Sequence, residues 1–142
     1  MKRIIIHWTA GQNKPNSTDL KHYHFIVDGQ GEIYNGKFKP EDNINCKDGK
    51  YAEHTGGGNT GSIGVSMCGM MGFITTKKVG SYPLTKIQCE TCFKLCAKLA
   101  KEYNIPIAFE FPAGHQKDNR TLILGKQVDF EVNVKEMILS FK

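Results

Sequence analysis

Residues 3–11, RIIIHWTAG, contain the apolar run that decides the fold class of this chain. Three consecutive isoleucines are typical of a central sheet strand that is buried on both faces. In open α/β sheets, ligands bind beyond the carboxyl ends of the strands, so the residues that end such a run are candidates for chemistry. His7 and Trp8 occupy that position. His7 is therefore the first candidate functional residue.

Length and composition predict one soluble domain over residues 1–142. Hydrophobic residues make up 39% of the chain and charged residues 23%. No apolar run reaches the ~18 residues of a membrane span, so we expect no stable membrane insertion. The apolar segment near the N-terminus has about four residues, fewer than the ~7–15 of a signal-peptide core. We therefore expect synthesis in the cytoplasm without a signal peptide. We also expect the protein to be a monomer.

The positive charge favours an anionic partner. The formal net charge is +5 and the pI is about 8.9, and nucleic acid, a membrane surface and an acidic cell-wall polymer would all be attracted to it. The lysines are scattered, and no basic block is interleaved with aromatic residues as in a nucleic-acid track. We therefore expect no nucleic-acid partner.

The cysteines allow two interpretations. Their number, five, is odd, so the sequence does not imply a complete disulfide framework. Cys89, Cys92 and Cys96 would share one face of a helix, where they could bind a metal or belong to the core. The core interpretation is favoured, because free cysteine behaves as a small buried hydrophobic residue.

The remaining pattern combines strands with helices. In order, it predicts a capped helical turn after residues 16–18, a hairpin with strands over 22–27 and 32–35, an irregular connection over 37–61, a strand over 62–68, a helix over 84–103, a strand in 105–111 and a helix in 132–142. The helix over 84–103 has the clearest signal, because Thr85 and Gln88 form a capping box. These elements predict an α/β domain with a central mixed β-sheet flanked by helices.

Histidines supply the candidate metal ligands. A hydrolytic zinc site needs three protein ligands and an open position for water. The chain has five histidines, of which His7 and His115 each follow an apolar strand-like segment. His22 and His24 alternate along one segment and form an equally good pair by spacing. The residue types alone therefore leave the ligand set open.

Several motifs occur in a specific order. They are IIIHWTAG (4–11), HYHFIVDGQGEIYNG (22–36), HTGGGNTGSIGVSMCG (54–69), YPLTKIQCETCFKLCAKLAKEYNIP (82–106), GHQ (114–116) and GKQVDF (125–130). Together they resemble the zinc-dependent N-acetylmuramoyl-L-alanine amidases, above all the small phage and prophage endolysins and more distantly the peptidoglycan recognition proteins. The resemblance extends from Ile4 to about Phe130.

The resemblance implies a zinc site made of His7, His115 and Asp129. The family's first zinc-binding histidine ends the opening strand, which matches His7, and its second follows the late strand, which matches His115. The third ligand is an aspartate or cysteine shortly afterwards, which matches Asp129. Asp118 is the alternative third ligand, because the loop before Asp129 is longer here than in the shortest relatives.

Two catalytic residues are also implied by the resemblance. The family's catalytic tyrosine precedes a histidine in a Y-H-F segment, which matches Tyr23, and its lysine lies close before the third ligand, which matches Lys126. Lys126 is three residues ahead of Asp129, whereas related enzymes usually place this lysine two residues ahead. By their chemistry, Lys126 could offer a cation and Tyr23 a hydroxyl to an oxyanion on the substrate.

Residues in or beside the matching motifs are expected to contact the substrate, namely Trp8, His24, His54, Asn59 and Thr60. For Trp8 the alternative is a role in the core, which is slightly favoured. For the two histidines the alternative is packing and hydrogen bonding. The glycine-rich run after His54 lacks the G-K-[S/T] ending of a phosphate loop. Its small residues are expected to let a glycan or peptide approach the backbone.

The resemblance implies an enzyme that hydrolyses the amide bond between N-acetylmuramic acid and L-alanine in peptidoglycan. Its partner would be peptidoglycan or a muropeptide, and its role would be endolysin-like lysis at the cell wall or in the periplasm after holin-mediated release. The alternative is a non-catalytic peptidoglycan-binding module of the same fold. Asp129 discriminates between the two, because the recognition proteins that lack the third ligand are inactive.

Overall fold

The computed structural model describes residues 1–107, together with the backbone of residues 128–132 and 137–141. The chain divides into two compact units, Met1–Ile105 and Pro106–Lys142. The organisation of residues 1–142 as one domain stays a prediction.

The first unit is built on a four-stranded mixed sheet. Its strands, in chain order, are β1 (Arg3–Trp8), β2 (Phe25–Val27), β3 (Ile33–Asn35) and β4 (Ser62–Met67). Their order across the sheet is β1-β4-β2-β3, in which β4 pairs in parallel with β1 and β2, and β2 pairs antiparallel with β3. The predicted α/β fold with a central mixed sheet is therefore confirmed.

The central strand of this sheet is β4. All six of its residues are buried, whereas in β1 Ile6 is 44% exposed. Among the described strands β1 pairs only with β4, so the expectation of a central strand was wrong, and the exposure of Ile6 contradicts the expected burial on both faces. The sequence of β4 is less apolar, because its serines and glycine face the side opposite the core.

The hydrophobic core lies between one face of the sheet and the long helix. Helix α2 (Lys86–Glu102) packs on the sheet, and the buried members of the core are Val27, Ile63, Val65, Met67, Cys92, Leu95 and Leu99. Cys89 and Cys96 are partly buried against this cluster, and all five cysteines are free. The cysteines on α2 are therefore packing residues, as the sequence favoured.

Helix α2 is fixed to the sheet at its first turn. Thr85 and Gln88 form the predicted capping box. The buried Gln88 amide also donates to the carbonyl oxygens of Val27 and Cys68, at 2.8 Å and 2.7 Å. These two carbonyls lie just where β2 and β4 end, so one side chain ties the helix to both strands.

The segment that leads into β2 is a short helix. Helix α1 (Ser17–His22) begins after Asn16, whose side chain caps it. His22 therefore ends a helix, and the strand expected from residue 22 begins only at Phe25. Asp28 closes the predicted β2–β3 turn, because its buried carboxylate accepts the backbone N–H groups of Gln30 and Glu32.

The connection over residues 37–61 contains two short 3-10 helices, Pro40–Ile44 and Cys46–Asp48. In the second unit, β5 (Val128–Val132) pairs antiparallel with β6 (Met137–Phe141). The helix expected in residues 132–142 was wrong, since 137–141 form a strand. The stretch is shorter than the ~12–15 residues that sustain an isolated helix, and the apolar and aromatic residues of MILSF suit a paired strand. No described helix is long and apolar enough to cross a membrane.

Candidate functional site

The face of the sheet opposite α2 carries a cluster of polar side chains. Ser62, Gly64 and Ser66 point to this face because they alternate with the core residues of β4. Four side chains that the sequence predicted as site residues lie above them. Their ring centroids are 5.3 Å apart for His7 and Tyr23, 5.2 Å for His7 and His54, and 5.6 Å for His24 and His54. We call His7, Tyr23, His24 and His54 the histidine–tyrosine cluster.

His7 is held in this cluster by the pairing of β1 with β4. It lies opposite Ser66 in the parallel ladder, and Arg3 on the same face of β1 donates to the Ser62 hydroxyl at 2.7 Å. The Nε2 atom of His7 lies 3.2 Å from Nδ1 of His54 and 3.4 Å from the Thr55 hydroxyl. Burial lowers the pKa of His7. The neutral imidazole, which is the form that can bind a metal, is therefore favoured.

His54 is held against the sheet by the loop around it. The Asn59 side chain accepts the backbone N–H groups of His54 and Thr55, at 3.0 Å and 2.8 Å, which gives Asn59 a structural role. Burial and the neighbouring His24 and His7 lower the pKa of His54 to about 4. Its Nε2 atom is buried and has no partner among the described residues.

Gly64 provides the space that the His54 ring occupies. A Cβ atom at Gly64 would lie 2.5 Å from Cγ of His54, closer than van der Waals contact allows. A glycine in the middle of a buried strand often marks such a close approach.

His24 is buried at the base of the cluster, and both of its ring nitrogens are used. Nδ1 accepts the backbone N–H of Gly64 at 2.9 Å, so Nε2 carries the proton and donates to Asn43 at 3.0 Å. Asn43 in turn bonds both backbone groups of Ala52. His24 therefore ties the 43–59 connection to the sheet. A substrate would reach its ring only after these bonds break, and its predicted substrate contact stays a prediction.

Tyr23 lies between α1 and β2 and is half-buried. Burial raises the pKa of its hydroxyl, so the group is protonated at neutral pH and can donate a hydrogen bond. The hydroxyl of Ser66 is buried on the same face and interacts with the Tyr23 hydroxyl, which offsets part of the rise in the pKa of Tyr23. The sequence did not single out Ser66, although the alternation of small polar residues in SIGVS is a signal that could have found it.

Three of the predicted substrate residues lie outside the cluster, namely Trp8, Asn59 and Thr60, and Asn59 binds the backbone of the His54 loop instead. Trp8 follows His7 directly and points to the other face of β1, where it is 49% exposed and its ring centroid lies 6.1 Å from that of Phe73. Trp8 is thus neither a wall of the His7 pocket nor a core anchor in the first unit. Thr60 is exposed on its loop.

The other predicted site residues fall in the second unit. His115, Asp118 and Lys126 lie outside the described residues, and only the backbone of Asp129, in β5, is described. Within the described residues, no group of three histidine, cysteine or acidic side chains could hold a metal ion. Of the predicted zinc ligands, the first unit contains His7, with Tyr23 beside it.

Comparison with known proteins agrees with the motifs. A family model described as N-acetylmuramoyl-L-alanine amidase matches residues 1–127. No curated protein sequence matches the chain. A crystal structure of tracheal cytotoxin bound to the ectodomain complex of peptidoglycan recognition proteins LCa and LCx is similar, with a TM-score of 0.50 and 23% identity.

That similarity covers 73% of this chain and 64% of the other, so the chain spans less than two thirds of that protein's length. At this identity the likeness supports the shared fold. The family match, in contrast, includes both the sheet and the histidine–tyrosine cluster. Because the match covers residues 1–127 of 142, the chain belongs to the N-acetylmuramoyl-L-alanine amidase family.

Proposed function

We propose that this protein is a zinc-dependent amidase that hydrolyses the bond between N-acetylmuramic acid and L-alanine in peptidoglycan. The observation that carries the proposal is the pairing of a half-buried, neutral His7 with the protonated hydroxyl side chain of Tyr23, at a ring distance of 5.3 Å. A neutral imidazole beside a hydroxyl donor suits metal-assisted attack on an amide. We also propose an endolysin-like role in cell-wall lysis.

Peptidoglycan or a muropeptide is the proposed partner. The family match supports an amidase of this class, and the similar structure contains peptidoglycan recognition proteins bound to tracheal cytotoxin. The net charge of +5 would favour encounter with an acidic wall.

In the first unit, the chemistry of His7 suits a zinc ion. Burial keeps this imidazole neutral, and neutral imidazole is a favoured zinc ligand. His115 and Asp129 would complete the ligand set, with Asp118 as the alternative to Asp129. When bound, zinc supplies a Lewis acid that polarises a water molecule and the amide carbonyl.

The chain's own residues would orient and stabilise the reacting groups. Tyr23 would donate its hydroxyl proton in a hydrogen bond to the carbonyl oxygen, which gains negative charge during attack. Lys126 would add a positive charge near the same oxygen. His54, 3.2 Å from His7, would restrict the orientation of the His7 ring, as residues that contact metal ligands commonly do.

Zinc content and peptidoglycan hydrolysis, measured on the same preparations, test this proposal. The wild type should hold about one zinc ion per chain, clear a suspension of purified peptidoglycan and expose new L-alanine amino groups. His7→Ala and Asp129→Ala should each lose the zinc and lower the rate about 100-fold or more. His22→Ala, a histidine at the end of α1, is the matched control and should behave as the wild type.

Each other outcome has a distinct meaning. Zinc and peptidoglycan binding without hydrolysis by the wild type would contradict the amidase and support the binding module. Activity that survives Asp129→Ala and is lost in Asp118→Ala would move the third ligand to Asp118. A wild type that neither binds zinc nor acts on peptidoglycan would reject the proposal.

A further inference from the structure

A hairpin projects from the sheet directly after β4. Residues 70–82, which we call hairpin 70–82, are closed by backbone hydrogen bonds from Met70 to Tyr82 at 2.8 Å and from Ser81 to Met71 at 3.0 Å. The tip is closed by a bond from Lys78 to Thr75 at 2.9 Å. The hairpin is therefore an ordered structure whose side chains have defined positions.

Hairpin 70–82 lies beside the end of β1. The backbone N–H of Met71 donates to the carbonyl of Gly11 at 3.1 Å, and Phe73 meets Trp8 edge to face at a centroid distance of 6.1 Å. The surface of the hairpin thus continues onto Trp8, the residue that follows His7.

This surface is unusually apolar. Ile74 is 69% exposed, and the other exposed apolar side chains of the surface are Trp8, Met71, Phe73 and Tyr82. Single exposed apolar residues are common, but a group of five on one hairpin and the adjacent strand end is typical of an interaction site.

The charged side chains of hairpin 70–82 are all positive. Lys77 and Lys78 occupy the tip of the hairpin, and no aspartate or glutamate occurs between Glu53 and Glu90. Neither lysine takes part in an ion pair with a described residue. The tip therefore presents two positive charges next to exposed apolar side chains.

We infer that hairpin 70–82, together with Trp8, binds reversibly to the surface of a membrane that contains anionic lipids. Apolar side chains that flank lysines are the arrangement by which peripheral proteins enter the boundary between headgroups and acyl chains. The lysines would contact anionic headgroups, while Ile74 and Phe73 would enter the apolar layer.

A hydrated acidic polymer fits this surface less well. Such a polymer could attract Lys77 and Lys78, but it has no apolar phase to accept an aliphatic side chain such as Ile74. The docking is peripheral, which agrees with the expectation of no stable membrane insertion. It would hold the His7 end of β1 close to the lipid surface.

The experiment uses the full chain and vesicles without peptidoglycan, so its result does not depend on amidase activity. Vesicles of phosphatidylglycerol and phosphatidylcholine are compared with vesicles of phosphatidylcholine alone, by flotation and by the emission of Trp8, the single tryptophan of the chain. We expect binding and a blue shift with the anionic vesicles, and weaker binding as the salt concentration rises.

Variants of the hairpin decide whether it carries the binding. Changing Lys77 and Lys78 to glutamine should weaken binding about fivefold per lysine, and Ile74→Ser should weaken it about tenfold. The matched controls are Lys47→Gln with Lys50→Gln, exposed lysines of another loop, and Ile87→Ser, an exposed isoleucine on α2. These controls should bind as the wild type.

Three results would overturn the inference. The first is the absence of binding to anionic vesicles, and the second is vesicle binding that the hairpin variants leave unchanged. The third is binding to purified peptidoglycan, and not to vesicles, that the hairpin variants abolish, because it would assign the surface to the wall polymer.

Discussion

At the scale of single residues, Gly64 decides how closely the His54 ring can approach the sheet. Its missing side chain leaves room for an imidazole, and its backbone N–H also bonds His24. One residue thus positions two members of the histidine–tyrosine cluster. Any side chain at this position would have to displace His54 or bend β4.

We predict that Gly64→Ala lowers the free energy of unfolding by about 1–3 kcal/mol, the usual effect of an added methyl group in a close-packed site. It should also lower amidase activity, because His54 would move away from His7. Gly56→Ala is the matched control, since a Cβ atom there meets nothing within 4 Å. Urea unfolding and a peptidoglycan assay of both variants provide the test.

A double variant shows whether the contact with His54 is the cause. Gly64→Ala combined with His54→Ala removes the ring that the new methyl group would strike, and part of the lost stability should return. If the double variant instead loses as much stability as the two single variants together, the alanine acts on β4 itself.

At this scale, ordered motifs in the sequence pointed to residues that the fold brings together, and the roles of these residues stay predictions. His7, Tyr23, His24 and His54 were all singled out, and the structure places them in one cluster. Ser66 and Asn43 were missed, because their importance comes from what they face across the fold and not from their neighbours in the chain. The ligand and lysine assignments at His115, Asp129 and Lys126 stay predictions.

At the scale of elements, helix α2 was predictable because its signals are local. The capping box of Thr85 and Gln88 can be found in the sequence, and the structure contains it. The roles of β1 and β4 were not predictable from apolar content, because burial of a strand depends on its neighbours in the sheet. The prediction of a C-terminal helix was wrong for a similar reason, because residues 137–141 form a strand that pairs with β5.

Gln88 links this helix to the sheet, and the link can be measured. Gln88→Leu should lower the free energy of unfolding by about 1–3 kcal/mol, because the carbonyl of Cys68 would stay buried without a donor, whereas that of Val27 keeps the backbone N–H of Cys68. Lys98→Leu, at an exposed position of the same helix, is the control and should change stability by less than about 0.5 kcal/mol. An equal loss in both variants would mean that leucine harms the helix itself.

At the scale of the whole molecule, the buried histidines couple the fold to pH. Burial lowers the pKa of His7, His24 and His54, the last to about 4. In the unfolded chain a histidine titrates near its ordinary pKa of about 6.5. Between these values the unfolded state binds more protons than the folded state. The contribution of these histidines to stability is therefore greatest above pH 6.5 and falls as the pH decreases toward 4.

We predict that His54 alone accounts for about 1–2 kcal/mol of this loss between pH 7 and pH 4, a value reduced for its partial exposure to solvent. Urea unfolding of the metal-free protein, in the presence of a chelator, measures the loss at several pH values. His54→Gln should flatten the dependence in this window, because the glutamine cannot be protonated. His22→Gln, which leaves the cluster intact, should keep the wild-type slope, and a His54→Gln slope equal to it would contradict the assignment.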